Sequence, residues 1–166
     1  MVAVPPTPAD MSISSLDREI ANYDRLNMTA APRYSDLLRE RGERGGLKFN
    51  ITLELIQKAA RERRFLSYGE VALANGVEWQ TAYRQIARHL GDLVSWSHKR
   101  GLPMISAIIV DKPNISSGAM EDSALRGFIN AAKRLGAFEG GDERAFLKDE
   151  QKEVFRRLAD WDTEAL

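Results

Sequence analysis

The stretch from Ser67 to Gly91, SYGEVALANGVEWQTAYRQIARHLG, limits the fold more than any other part of the chain. Ser67 and Glu70 have the S-x-x-E spacing of a capping box, in which the serine oxygen accepts a backbone N–H and the glutamate reaches back to the cap. That spacing starts a short helix over Tyr68–Ala74. Asn75-Gly76 then supplies a turn, because both residues tolerate left-handed backbone. A second helix begins near Glu78 or Trp79 and is expected to run, with a bend near Gly91, to about Lys99. The outcome is a helix, a tight turn and another helix.

The second helix has two faces. Val77, Tyr83, Ile86, Ala87, Leu90 and Val94 form its apolar side. Thr81, Arg84, Gln85 and Arg88 fall at helical spacing on one stripe. Arginine can fork onto guanine edges or phosphates and glutamine can pair with adenine, so the stripe has the chemistry of a recognition helix. Lys99 and Arg100, at the end of the helix, are candidates to assist at phosphates. A solvated helix face would show the same residues, and both readings stand.

The segment FLSYGEVALANGVEWQTAYRQIARHL resembles the winged-helix DNA-binding part of the O6-alkylguanine-DNA alkyltransferases and the alkyltransferase-like proteins. Ser67, Tyr68, Gly69, Glu70, Val71 and Ala72 match the family's Ser-Tyr-Gly-x-(Val/Ile)-Ala segment. Arg84 falls roughly where the family carries an arginine that pushes a base out of the duplex. The family's Pro-Cys-His-Arg acceptor motif is missing; Gly101-Leu102-Pro103-Met104-Ile105-Ser106 stands in that region. The tryptophan replacement typical of the alkyltransferase-like proteins is missing too. The resemblance, over about residues 65–91, therefore implies a winged-helix core and no alkyl transfer.

The flanking sequence reads as helices around that core. Ser14 or Ser15 caps a first short helix carrying Leu16, Ile20, Tyr23 and Leu26 at helical spacing. Pro32 opens a second, to about Glu43, which ends at Gly45-Gly46. Thr52 caps LELIQKAARERR, whose last-turn cations suit the negative end of the helix dipole. MISAIIV, Met104–Val110, reads as a strand bounded by turn residues, with Arg64–Ser67 as a short partner. Helices return over about Ser123–Leu135 and Glu143–Trp161. The expected class is mainly α with a small β element: a winged-helix-like core (48–112), an N-terminal helical arm (14–47), a C-terminal helical extension (113–166) and a disordered tail (1–13).

A chain of 166 residues with 43% apolar and 29% charged residues suits one globular domain with a sizeable core. No apolar run approaches the ~20 residues of a membrane helix, and the first residues lack the pattern of a secretory signal. The chain has no cysteine. Disulfides, thiolate metal sites and cysteine nucleophiles are excluded, and a reducing cytoplasm is the expected location. Formal net charge is zero, but Lys48–Arg100 holds nine basic against five acidic residues and Pro113–Leu166 eight against eleven. The acidic C-terminal helices are a candidate surface for a protein partner.

No catalytic, metal or cofactor site emerges. His89 and His98 are nine residues apart, on opposite sides of a continuous helix, so they share no metal there. Glu150-Gln151-Lys152 has the E-x-K spacing of a magnesium-dependent nuclease but lies in a helical run, where such residues make solvated pairs. Trp79, Trp96 and Trp161 are expected in the core. Two non-enzymatic functions remain: binding of double-stranded DNA through Thr81, Arg84, Gln85, Arg88, Lys99 and Arg100, and a protein–protein interaction module (an adaptor or inhibitor, as in host–phage conflict) built on the same scaffold.

Overall fold

The run Met104–Val110 is too apolar to face water on either side, and the structure buries nearly all of it. In the computed structural model, which describes residues 3–44 and 46–161, Met104, Ile105, Ala107, Ile108, Ile109 and Val110 are all buried. Only Ile109–Val110 forms a strand, β2; Ile105–Ile108 is a tight 3-10 turn. The expected seven-residue strand is thus two residues long. An all-apolar run shows that a segment is buried, but it carries no period from which to read its backbone. Its partner β1, Leu66–Ser67, pairs with it in parallel, Leu66 with Ile109 and Ser67 with Val110.

Eight α-helices among the described residues surround this element: α1 Ile13–Arg25, α2 Pro32–Arg44, α3 Phe49–Glu62, α4 Tyr68–Ala74, α5 Trp79–Ala82, α6 Ile86–His98, α7 Asp122–Arg134 and α8 Glu143–Leu158. The protein is mainly α with a small β element. Its strands run parallel and are joined through α4, α5 and α6, so they do not make the antiparallel hairpin that a wing requires.

Several helix boundaries differ from the sequence reading for local reasons. Ser12, not Ser14 or Ser15, caps α1: its hydroxyl accepts the Ser15 N–H at 3.1 Å. Pro32 opens α2 as expected, and the Gly46 end has the left-handed φ of 84° that glycine permits; Gly45 lies outside the described residues. Thr52 is not the cap of α3. The helix starts at Phe49, and Thr52 lies within its first turns, fully buried, with its hydroxyl spent elsewhere. Leu16 and Ile20 of α1 and Leu37 and Leu38 of α2 belong to the same apolar cluster as the rest of the molecule, and α2 packs on α6.

Two side chains of α8 hold the 104–118 segment in place. The Glu150 carboxylate accepts the Met104 N–H at 3.0 Å. The buried Gln151 amide donates to the carbonyls of Ala107 at 3.0 Å and Gly118 at 2.8 Å. These bonds satisfy backbone groups that an irregular buried segment would otherwise leave unpaired. The E-x-K spacing therefore serves the fold, and its Glu150 is a structural acceptor.

Candidate functional site

The first helix and the turn after it form from the residues that announced them. The Ser67 hydroxyl accepts the Glu70 N–H at 3.1 Å, and the Glu70 carboxylate accepts the Ser67 N–H at 2.8 Å. Burial acts to raise the Glu70 carboxyl, but the Ser67 N–H and the Arg64 guanidinium, 2.9 Å away, outweigh it and hold it below the usual range. α4 ends at Asn75, and Gly76 turns the chain with a φ of 70°.

The Asn75 amide ties this turn to two other helices. Its Oδ1 accepts the Lys48 N–H at 2.8 Å, before α3. Its Nδ2 donates to the Val71 carbonyl at 2.8 Å and to the Thr52 hydroxyl oxygen at 3.0 Å. A backbone donor on one side and a backbone acceptor on the other fix which way the amide points. Thr52 therefore receives a hydrogen from Asn75 and lies 2.8 Å from its other side-chain neighbour, His89 Nε2 on α6, to which we assign its own hydroxyl hydrogen. With Nε2 accepting, the neutral ring carries its proton on Nδ1. Nδ1 is buried and has no partner among the described residues. Burial also lowers the His89 pKa to about 4.

The expected recognition helix is broken. α5 is a single turn, Trp79–Ala82, and α6 restarts at Ile86 after Tyr83–Gln85. Ala82 and Ile86 are buried, whereas Tyr83, Arg84 and Gln85 all face solvent. Thr81, Arg84 and Gln85 are exposed, but across the break rather than on one continuous stripe.

The expected DNA-reading cations are partly engaged within the protein. Arg84 donates through Nε to the Tyr83 hydroxyl at 2.9 Å and lies over that ring. Arg88 pairs with Asp17 of α1. The Lys99 ammonium sits 3.5 Å from the centre of the Tyr34 ring with no hydrogen-bond partner among the described residues. Burial, aided by Arg100 and opposed by Asp24, brings its pKa down to about 8. The Arg100 guanidinium stacks 3.9 Å above Trp96 and donates to its carbonyl. The acids of the C-terminal helices are also in use: Asp122 pairs with Arg144, Glu153 with Arg156, and Asp142 caps α8.

Sequence reasoning missed the largest opening near these residues. A groove of about 540 Å³ runs between α5–α6 and α7. Trp79, expected in the core, stands 48% exposed at its edge, as does Tyr83, with ring centres 6.4 Å apart. Ile86, Leu90, Val94 and Phe128 contribute apolar lining, and Tyr68 and Asp111 lie in the same wall. Gly91 of α6 and Gly127 of α7 both line the groove, and at both a Cβ would meet nothing within 4 Å. A glycine inside a helix was the available sequence signal, since it costs about 1 kcal/mol against alanine.

Among the described residues, no cluster of three His, Asp or Glu side chains is arranged to hold a metal ion, and no helix is long and apolar enough to cross a membrane. No family model, curated protein or solved structure matches the chain.

The His89 environment has a pH signature. Its folded pKa of about 4 lies below the ordinary 6.5, so the unfolded chain binds the extra proton between those values. The stabilisation is complete above pH 6.5 and is lost as pH falls towards 4. Denaturant melts of the wild type minus those of His89→Gln should show that slope over this window. A pH-independent difference would contradict a buried neutral imidazole.

Proposed function

We propose that this protein is a non-enzymatic interaction module whose α5–α6/α7 groove seats an amphipathic helix of a partner protein. The observation that carries this reading is the pair of helical glycines that line one groove. Gly91 and Gly127 each weaken their own helix, yet neither makes room for any part of this chain. Small residues on two adjacent helices, Ala87 with Gly91 and Ala124 with Gly127 and Ala131, let a third backbone come close. Trp79 and Tyr83 stand ready as aromatic anchors, the residue types that dominate interface energies. A helix lying in an apolar groove is a recurrent mode of recognition. The absence of cysteine suits work in a reducing cytoplasm.

Filling the groove separates binding from folding. Gly91→Leu with Gly127→Leu places side chains in open space and improves helix propensity, so the melting temperature should hold or rise. The same variant should lose a stoichiometric, nuclease-resistant partner that the wild type recovers. Undiminished recovery of that partner by the filled protein would remove the groove from the account.

A second reading, duplex DNA, draws on the exposure of Thr81, Arg84 and Gln85 and on the resemblance to the alkyltransferase winged helix. Phosphate contacts would make such binding fall steeply with salt. Gel retardation of a duplex should be abolished by Arg84→Ala with Arg88→Ala, with little change in melting temperature. Equal retardation by the double variant would exclude the helix–turn–helix as the DNA contact.

A further inference from the structure

The groove between α5–α6 and α7 is mostly apolar, but two charges stand in its walls, and neither is used within the described chain. Asp111, directly after β2, is half-buried, and its carboxylate makes no ion pair and no hydrogen bond among the described residues. It precedes a single 3-10 turn, Lys112–Asn114, without capping it. Tyr68 lines the same groove, and its hydroxyl is also unpartnered among those residues. Burial, aided by the nearby Asp111 charge, pushes the Tyr68 phenol above its usual range. The other charge is Arg134, the last residue of α7, exposed and without an ion pair or side-chain hydrogen bond among the described residues.

The two charges stand at opposite ends of α7. Asn114 donates its backbone N–H to the Asp111 carbonyl at 2.8 Å and its side-chain amide to the Glu121 carboxylate at 3.0 Å. Those bonds tie Asp111 to the residue that precedes α7. Arg134 ends the same helix, about 18 Å from its first residue at 1.5 Å per residue. Between them the groove side of α7 presents Ala124, Gly127, Phe128 and Ala131. Arg134 suits the dipole of its own helix. Asp111 lies outside that helix and has no such use, and a half-buried carboxylate that no cation offsets costs free energy.

We propose, on the reading of this groove as a helix seat, that the bound helix carries a lysine or arginine at the end that meets Asp111 and a carboxylate at the end that meets Arg134. Three turns of helix cover about 16 Å, which matches the separation of the two charges along α7. The apolar stripe between supplies affinity, and the charges set register and direction. A cation beside Asp111 and Tyr68 sits in a partly buried place, where its charge-assisted hydrogen bond is stronger than on an open surface. A helix with the opposite order of charges brings like charges together at both ends and is rejected.

Selection from a displayed library of random peptides long enough for four helical turns (about 15 residues) tests this on the full chain. Gly91→Leu with Gly127→Leu serves as the counter-selection that removes peptides bound elsewhere. The enriched sequences should combine an apolar stripe at helical spacing with a basic residue near one end and an acidic residue near the other, always in the same order. Titration calorimetry with one enriched peptide should show Asp111→Asn binding tenfold or more weaker than wild type, with unchanged melting temperature. Replacing the basic residue of the peptide with glutamine should make wild type and Asp111→Asn bind alike. Arg134→Glu should weaken the original peptide. Groove-binding peptides without a charge preference, or full affinity in Asp111→Asn, would overturn the charge assignment and leave the helix seat standing. Failure of any peptide to distinguish wild type from the filled protein would remove both.

Discussion

One side-chain amide ties the turn after α4 to both α3 and α6. Asn75 bonds the start of α3, the end of α4 and, through Thr52, the His89 ring of α6. Each bond alone contributes about 1 kcal/mol, but removing one partner strands another buried polar group at about 1–3 kcal/mol. The chain Asn75–Thr52–His89 is therefore cooperative: its members are worth having only together. Together with the buried Ile86, Leu90, Leu93 and Val94 it sets the rotation of α6 about its own axis, and that rotation decides which residues face each side.

The character of each face of α6 follows from that rotation. With His89 turned towards α3, Ile86, Leu90 and Val94 meet the core and the groove, while Gln85 and Arg88 face α1 and α2. Gly91 of α6 and Gly127 of α7 line that groove. The groove is mostly apolar, edged by half-exposed aromatic rings; the opening on the other face, lined by Arg41, Arg88 and Asp92, is polar. One helix thus separates two openings of contrasting chemistry.

The legible parts of the sequence were those governed by short-range rules. The Ser67–Glu70 box, the Asn75-Gly76 turn and the α4 span follow from spacing alone, and the α7 start and α8 start were found within a residue. Periodicity misled where a segment lacked a period, as in Met104–Val110, and it gave no sign of the interruption at Tyr83–Gln85. The candidate sites were less legible because they depend on partners distant in sequence. Asp17 captures Arg88 from 71 residues away, and Tyr34 draws in Lys99 from 65 residues on. Thr52 looked like a cap because a threonine before an apolar run usually is one; the partner that claims its hydroxyl, His89, lies 37 residues on. Trp79 looked like core because of its size, and only the packed structure shows that the space beside it is empty.

The central claim is that hydrogen bonding runs from Asn75 through Thr52 to His89 Nε2, leaving the imidazole proton on Nδ1. A long-range proton–nitrogen correlation spectrum of the folded protein near pH 7 reads this directly. The account predicts a protonated, pyrrole-like Nδ1 and an unprotonated, pyridine-like Nε2 for His89. A proton on Nε2, or rapid exchange between the two forms, would contradict it.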